Sequence, residues 1–286
     1  MTACRKNRLS AFNRDVVSLM AIAVKAYYDG GGVSGQVVVL AGYAALSAQW
    51  DDFEREWKTV LNGDGKRPKA RYLHMREAMA LRKEFAPDNG WNRSHVKALL
   101  DDAFGCLARL GQHSGDDDIT FIGASCSVPL DDYDRAVKKL PNLKKKEPEA
   151  ICVDRVLGPT LRLLPQAPTP ETGSAGKLGS VELFFDRNEK FRDKIYRIWN
   201  QPFHRRPKLL QLVSALNVGD QESVMPLQAA DYLAWLTKQH IVNRKMTLGF
   251  RRLLAVPHYG FDYDYDKLIE NYKDWDGSVT PLKTRR

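Results

Sequence analysis

Apolar residues along this chain follow two rhythms. Short runs of β-branched and aromatic residues that stop at Gly, Pro or an acid predict strands, and apolar positions three and four apart predict helices. Residues 20–28 predict a first strand ending on Asp29, with Gly30, Gly31 and Gly32 forming a turn into a second strand over 36–45, so that the two pair as an antiparallel hairpin. Trp50, Phe53, Trp57 and Leu61 recur at helical spacing and predict an amphipathic helix whose aromatic stripe belongs to the core rather than to a base-stacking platform. A second amphipathic helix spans 94–110, a third strand 119–128, a helix or turn 131–138 and a helix 150–164. Residues 165–179, rich in Pro, Gly, Ser and Thr, predict a long loop. A buried strand made of Val181, Leu183, Phe184 and Phe185 follows and halts at Asp186. A helix over 191–199, a fifth strand over 209–218 and a densely apolar helix opening at Pro226 complete the order. Strands that begin as a hairpin and then alternate with helices predict a mixed five-stranded α/β sheet with helices on its faces, and the helices over 50–115 are an insertion after strand 2.

Three acids stand out because they interrupt apolar surroundings. Asp29 and Asp186 each close a strand, where a carboxylate needs a partner or a cation. Asp186 has a competing role as the cap of the helix after it. Asp231 sits inside the last apolar helix with no basic neighbour before Lys238, and Gln228 shares its face three residues back. Buried, Asp231 must protonate, find donors in a structural network or bind a cation. If the strands carrying Asp29 and Asp186 are parallel neighbours, both acids emerge at one sheet edge, and a helix across that edge brings in Asp231. His74 and Glu77, three residues apart, are a metal or proton-transfer pair if helical, or an ordinary surface pair.

Composition narrows this picture. With 286 residues and 43% hydrophobic content the chain can bury one sizeable core, expected as a single domain over 20–286 after a loose arm over 1–19, with a C-terminal extension over about 246–286. The net charge of +9 points to an anionic partner, with nucleic acid the commonest. Lysines over 138–146 and the stretch over 203–208, including Arg205, Arg206 and Lys208, are basic enough to track a phosphate backbone. Cys4, Cys106, Cys126 and Cys152 form no CxxC pair and no zinc spacing, as expected of thiols in a reducing compartment. Arg5 to Arg8 followed by an apolar run over 16–24 has the outline of an export signal. The run is far shorter than the roughly 20 residues needed to span a bilayer, so a cytoplasmic protein without membrane contact is expected.

Short motifs add a resemblance. Asp29 after Tyr28 with glycines behind it, the Leu-Ala-Gly of strand 2 followed by the Trp-containing helix, Leu73-His74, the Phe-Phe-Asp ending at Asp186 and above all Leu227-Gln-Ala-Ala-Asp231 resemble the bacterial and phage family catalogued as domain of unknown function 3800. That resemblance implies a ribonuclease H-like fold whose active site is a cluster of carboxylates holding divalent ions. It assigns Asp29, Asp186 and Asp231 to the first-strand, fourth-strand and last-helix ligands of Mg²⁺ or Mn²⁺. Glu77 becomes a further catalytic candidate, with Glu189 and Glu222 as rivals. His74, Gln228, Arg187, Asn188, Arg205, Arg206 and Lys208 become candidate substrate contacts. One departure stands out: the family usually reads Asp-Glu-Ser-Gly where this chain reads Asp29-Gly30-Gly31-Gly32. The expected activity is metal-dependent hydrolysis of RNA or DNA. The alternatives are a catalytically inactive nucleic-acid-binding protein on the same fold and, with no Walker-type loop in support, a phosphotransferase or ATPase.

Overall fold

The computed structural model describes residues 23–33, 36–112, 121–160, 163, 180–187, 193, 196–197, 200, 213–243, 250–251 and 256–275. The arm over 1–19, the loop over 165–179, most of the helix over 191–199, and Asn188, Glu189, Arg205, Arg206 and Lys208 lie outside them.

The protein is a mixed α/β structure built on a six-stranded sheet. Strands β1 (Ala23–Val33) and β2 (Val37–Leu46) form the hairpin, and helices α1 (Ser47–Asn62), α2 (Met75–Ala80) and α3 (Arg93–Gln112) fill the connection to β3 (Phe121–Pro129). Helices α4 (Leu130–Lys139) and α5 (Pro148–Thr160) lead to β4 (Ser180–Asp186) and β5 (Val213–Gly219). Helix α6 (Met225–Asn243), strand β6 (His258–Asp262) and helix α7 (Tyr265–Tyr272) close the described chain. The strand order is β5-β4-β1-β2-β3-β6. β1 and β3 run antiparallel to β2, β4 runs parallel to both β1 and β5, and β6 is parallel to β3.

Two expectations need correction. The sheet has six strands rather than five, because His258–Asp262, within what reads as a C-terminal extension, pairs along β3. Its mixed polar and apolar residues carry too little periodicity to mark it as a strand on their own. The glycines after Asp29 do not turn: β1 continues, with Gly30 opposite Leu40, Gly31 opposite Val39 and Gly32 opposite Val38. The β-branched start of β2 needs ladder partners for its backbone, and glycine supplies an N–H and a C=O as well as any other residue. Asp29 is therefore inside a strand, opposite Ala41, while on its other side the pairing with β4 stops at Tyr28 and Phe185.

Alternation along the strands sorts side chains between two cores. Tyr27, Val39, Ala41 and Tyr43 face α1, α3 and α6, where Trp50, Phe53 and Trp57 are buried as the helical stripe predicts. Tyr28, Leu40, Leu183 and Phe185 face α5 and α7. Gly42 admits the close approach of the hairpin strands: a Cβ there would fall on the Tyr27 carbonyl oxygen and within 2.7 Å of Tyr28 Cδ1. On the β3–β6 side, Ser125 Oγ and His258 Nε2 share a hydrogen bond of 3.1 Å, and burial holds the His258 ring down at about 4 despite the opposing charge of Asp262. Cys106, Cys126 and Cys152 are buried free thiols.

Two outcomes follow from this packing. Gly42→Ala should destabilise the protein by about 3 kcal/mol, read as a lower denaturation midpoint, because backbone rather than a flexible side chain must give way. His258 binds its proton less readily folded than unfolded. Its stabilising effect is therefore complete above the unfolded value near 6.5 and is lost as pH falls through about 4. Acid unfolding of His258→Gln should lack up to about 3 kcal/mol of that loss between these limits, measured by denaturant melts across the range.

Candidate active site

Strand register decides where the two strand-borne acids go. Asp29 has the parity of Tyr27, and Asp186 that of Phe184, whose rings stack 4.5 Å apart. Both carboxylates therefore project on the face that α6 covers, one step beyond the last paired residues of β1 and β4. Helix α6 packs across β1 and β2 and is apolar almost all round, which buries Asp231 along with its neighbours. The three acids, scattered in sequence, line one cavity of about 1020 Å³. Asp29 is 6% and Asp231 8% exposed, so they lie at its floor.

Each floor carboxylate has a defined setting. Asp231 Oδ2 accepts the Met75 N–H at 2.6 Å, and Asp29 Oδ2 accepts the Gln221 amide at 3.1 Å. Burial pushes the Asp231 carboxyl above the usual range and the charge of Asp186 adds to this. The Met75 N–H, the His74 ring and a hydrogen bond with Asp29 pull the other way without cancelling it. The floor is thus a set of like groups in which one carboxyl holds its proton more tightly than usual, the expected response to like charges sharing a desolvated site.

Helix α2 forms one wall. His74 is its N-cap residue, extended rather than helical, and its side chain still meets that of Glu77, with Nδ1 3.1 Å from Glu77 Oε1. Lys83 Nζ lies 2.7 Å from the same oxygen, and the Tyr72 hydroxyl donates to Oε2 at 2.8 Å. Burial raises the Glu77 carboxyl, but the bonds from Lys83, Tyr72 and His74 outweigh it and leave it below the ordinary range. Glu77 is an ionised carboxylate already neutralised by a lysine, which makes it a poorer ligand for a further cation than the floor acids.

Gln228 has a structural part. Fully buried, it accepts hydrogen bonds from Trp57 Nε1 at 2.8 Å and the Leu73 N–H at 2.9 Å, and donates to the Gln221 carbonyl at 2.8 Å. One amide ties α1, the approach to α2 and the 220–224 turn to α6. It positions both Gln221, which holds Asp29, and the chain leading to Met75, which holds Asp231.

Arg187 is exposed and outside the cavity lining, its backbone N–H bonded to the Gly219 carbonyl at 2.8 Å. Of the two rivals to Glu77, Glu222 reaches the cavity from the 220–224 turn. The capping alternative for Asp186 falls on a helix outside the described residues. Gln221, Tyr72 and Lys83 were invisible to sequence reasoning, since single polar residues in turns carry no periodicity. Among the described residues, no three His, Cys, Asp or Glu side chains are arranged to hold a metal ion. No helix among them is long and apolar enough to cross a membrane.

No known protein family matches the sequence, and neither a curated protein nor a solved structure is detectably similar. The resemblance described above stands on its short motifs.

Gln228→Leu leaves two buried N–H groups and one carbonyl without partners and should cost about 3 kcal/mol or more. Gln228→Glu, which keeps both acceptor bonds but turns an oxygen toward the Gln221 carbonyl, should be destabilised as well. Equilibrium unfolding of both variants checks this; stabilities equal to the parent's would remove Gln228 from its tying role.

Proposed function

We propose that this cleft hydrolyses phosphodiester bonds of RNA or DNA with the help of Mg²⁺ or Mn²⁺, on a ribonuclease H-like fold. The observation that carries the reading is the convergence of Asp29, Asp186 and Asp231 on one cavity from a first strand, a fourth strand and a late helix. Neighbouring parallel acid-bearing strands and a helix across their ends agree with the sheet-edge arrangement expected from the sequence, and β6 and α7 add to it.

The donors suit the ion in kind. Carboxylate oxygens are the ligands of hard divalent cations, and among the described residues the cavity lining holds no cysteine and a single histidine, His74. Binding would draw the three side chains closer than they stand and oppose the upward shift of the Asp231 carboxyl. A divalent ion there would supply Lewis acidity, making a water acidic near neutral pH and neutralising charge on the phosphate.

The chain's own residues do the rest. Gln221 orients Asp29 and the Met75 N–H orients Asp231, so each of these two acids has a defined direction before binding. His74, partly exposed at the cavity and bonded to Glu77, can exchange a proton with a group in the cleft while Glu77 holds its ring. Lys83 balances Glu77.

Two observations favour the second reading, an inactive nucleic-acid-binding protein. Gly30 lines the cavity where the resemblance implies a glutamate, and the nearby Glu77 is already paired with Lys83. A phosphotransferase or ATPase has no comparable support.

Asp186→Asn tests the first reading. Mg²⁺- or Mn²⁺-dependent cleavage of RNA or DNA should fall by roughly 100-fold or more, the scale of losing one preorganised electrostatic group. The metal-free melting temperature should stay the same or rise, since one of several crowded acids is gone. Parent protein that binds nucleic acid in EDTA yet yields no product with either ion would favour the inactive reading.

A further inference from the structure

The cavity is walled by α2 on one side and by a stripe of α6 on the other. Asp231, Ala234, Trp235, Lys238 and Gln239 all line it, at the three- and four-residue spacing of a single helix face. Lys238 stands two turns beyond Asp231, about 10 Å along the axis. The facing wall offers exposed Met79 and Arg76.

Trp235 is set apart from the other described tryptophans. Trp50, Trp57, Trp91 and Trp275 each pack edge or face against another ring. Trp235 packs part of its side chain against the core but has no ring partner and no hydrogen bond among the described residues, and its half-buried indole borders the cleft. Lys238 and Arg76 likewise make no ion pair among the described residues, whereas Lys83 on the same rim is bound to Glu77. A ring without an aromatic partner and two cations without ion pairs among the described residues thus border a cleft whose floor is acidic.

That combination fits one class of ligand. The geometry points to an unpaired nucleic-acid strand as the occupant, with a base stacked on Trp235 and flanking phosphates contacted by Lys238 and Arg76. A duplex keeps its bases stacked on one another and offers the apolar walls nothing, and its width opposes delivering a phosphate to carboxylates less than a tenth exposed. A single strand exposes a π-face for every base and bends into a groove, and base–aromatic stacking is indifferent to sequence. The inference deepens the proposed function and rests on its reading of the cleft as a place where phosphodiesters are handled.

The test uses the full chain in EDTA, with labelled oligothymidine and oligouridine of about 12 nucleotides and a duplex of the same length as probes. Trp235→Ala should weaken single-strand binding about 10-fold or more, and Trp235→Phe should recover most of it. Lys238→Gln should lower the slope of log affinity against log salt by about 0.7, one phosphate contact. The parent should bind the duplex more weakly than either single strand. Unchanged affinity in both Trp235→Ala and Lys238→Gln, with melting curves showing them folded, overturns the inference; so does a duplex bound as tightly as the single strands. Should Trp235→Ala fail to fold, Trp235→Phe and Lys238→Gln still decide the matter. Cleavage by the parent with single-strand affinity independent of Trp235 and Lys238 leaves the nuclease reading standing and removes only this one. Strand binding that depends on Trp235 with no cleavage in Mg²⁺ or Mn²⁺ supports this inference and removes the other.

Discussion

Like charges brought out of water repel one another and lose their hydration, and this protein gathers three carboxylates at one cavity, two of them buried. Everything near the cleft answers to that. The parallel pairing of β1 with β4 sends Asp29 and Asp186 to one face, one step past Tyr28 and Phe185. Helix α6 is apolar enough to lie flat on the sheet, and its burial carries Asp231 down among them. The structure compensates with a backbone N–H on Asp231 and the Gln221 amide on Asp29, while burial pushes the Asp231 carboxyl toward its protonated form. None of these is a full counter-charge. Carboxylates that meet in one cleft, one of them pushed toward its protonated form, are a setting that recurs at functional sites.

Much of this could be read along the chain. Helix α1 and the burial of Trp50, Phe53 and Trp57 follow from spacing alone. The acids were visible because each breaks an apolar run. What stayed hidden has identifiable causes. Glycine marks turns only when nothing opposite needs a partner, and Val38, Val39 and Leu40 needed partners, so β1 ran on past Asp29. Strand β6 lacks a periodic signature and forms because β3 offers it an edge. Gln221, Tyr72 and Lys83 join the site through tertiary placement that no local pattern encodes. Gln228 was legible as a polar residue on the Asp231 face. Only the structure shows that its amide is consumed by Trp57, Leu73 and Gln221.

The chemistry divides along the two walls. On the α2 side, Glu77 is ionised, neutralised by Lys83 and linked to His74, an arrangement suited to holding an imidazole in place. On the α6 side, an acid, an indole and a lysine follow one another along a single helical face. Gly30, at the cavity where the resemblance implies an acid, leaves the floor with its carboxylates on Asp29, Asp186 and Asp231.

The most direct measurement is therefore a crystal of the full chain soaked in Mn²⁺ and recorded at the manganese absorption edge. The account predicts anomalous density between the carboxylates of Asp29, Asp186 and Asp231, with the three side chains drawn together around it. Density elsewhere, or none in this cleft at a saturating concentration, would contradict it.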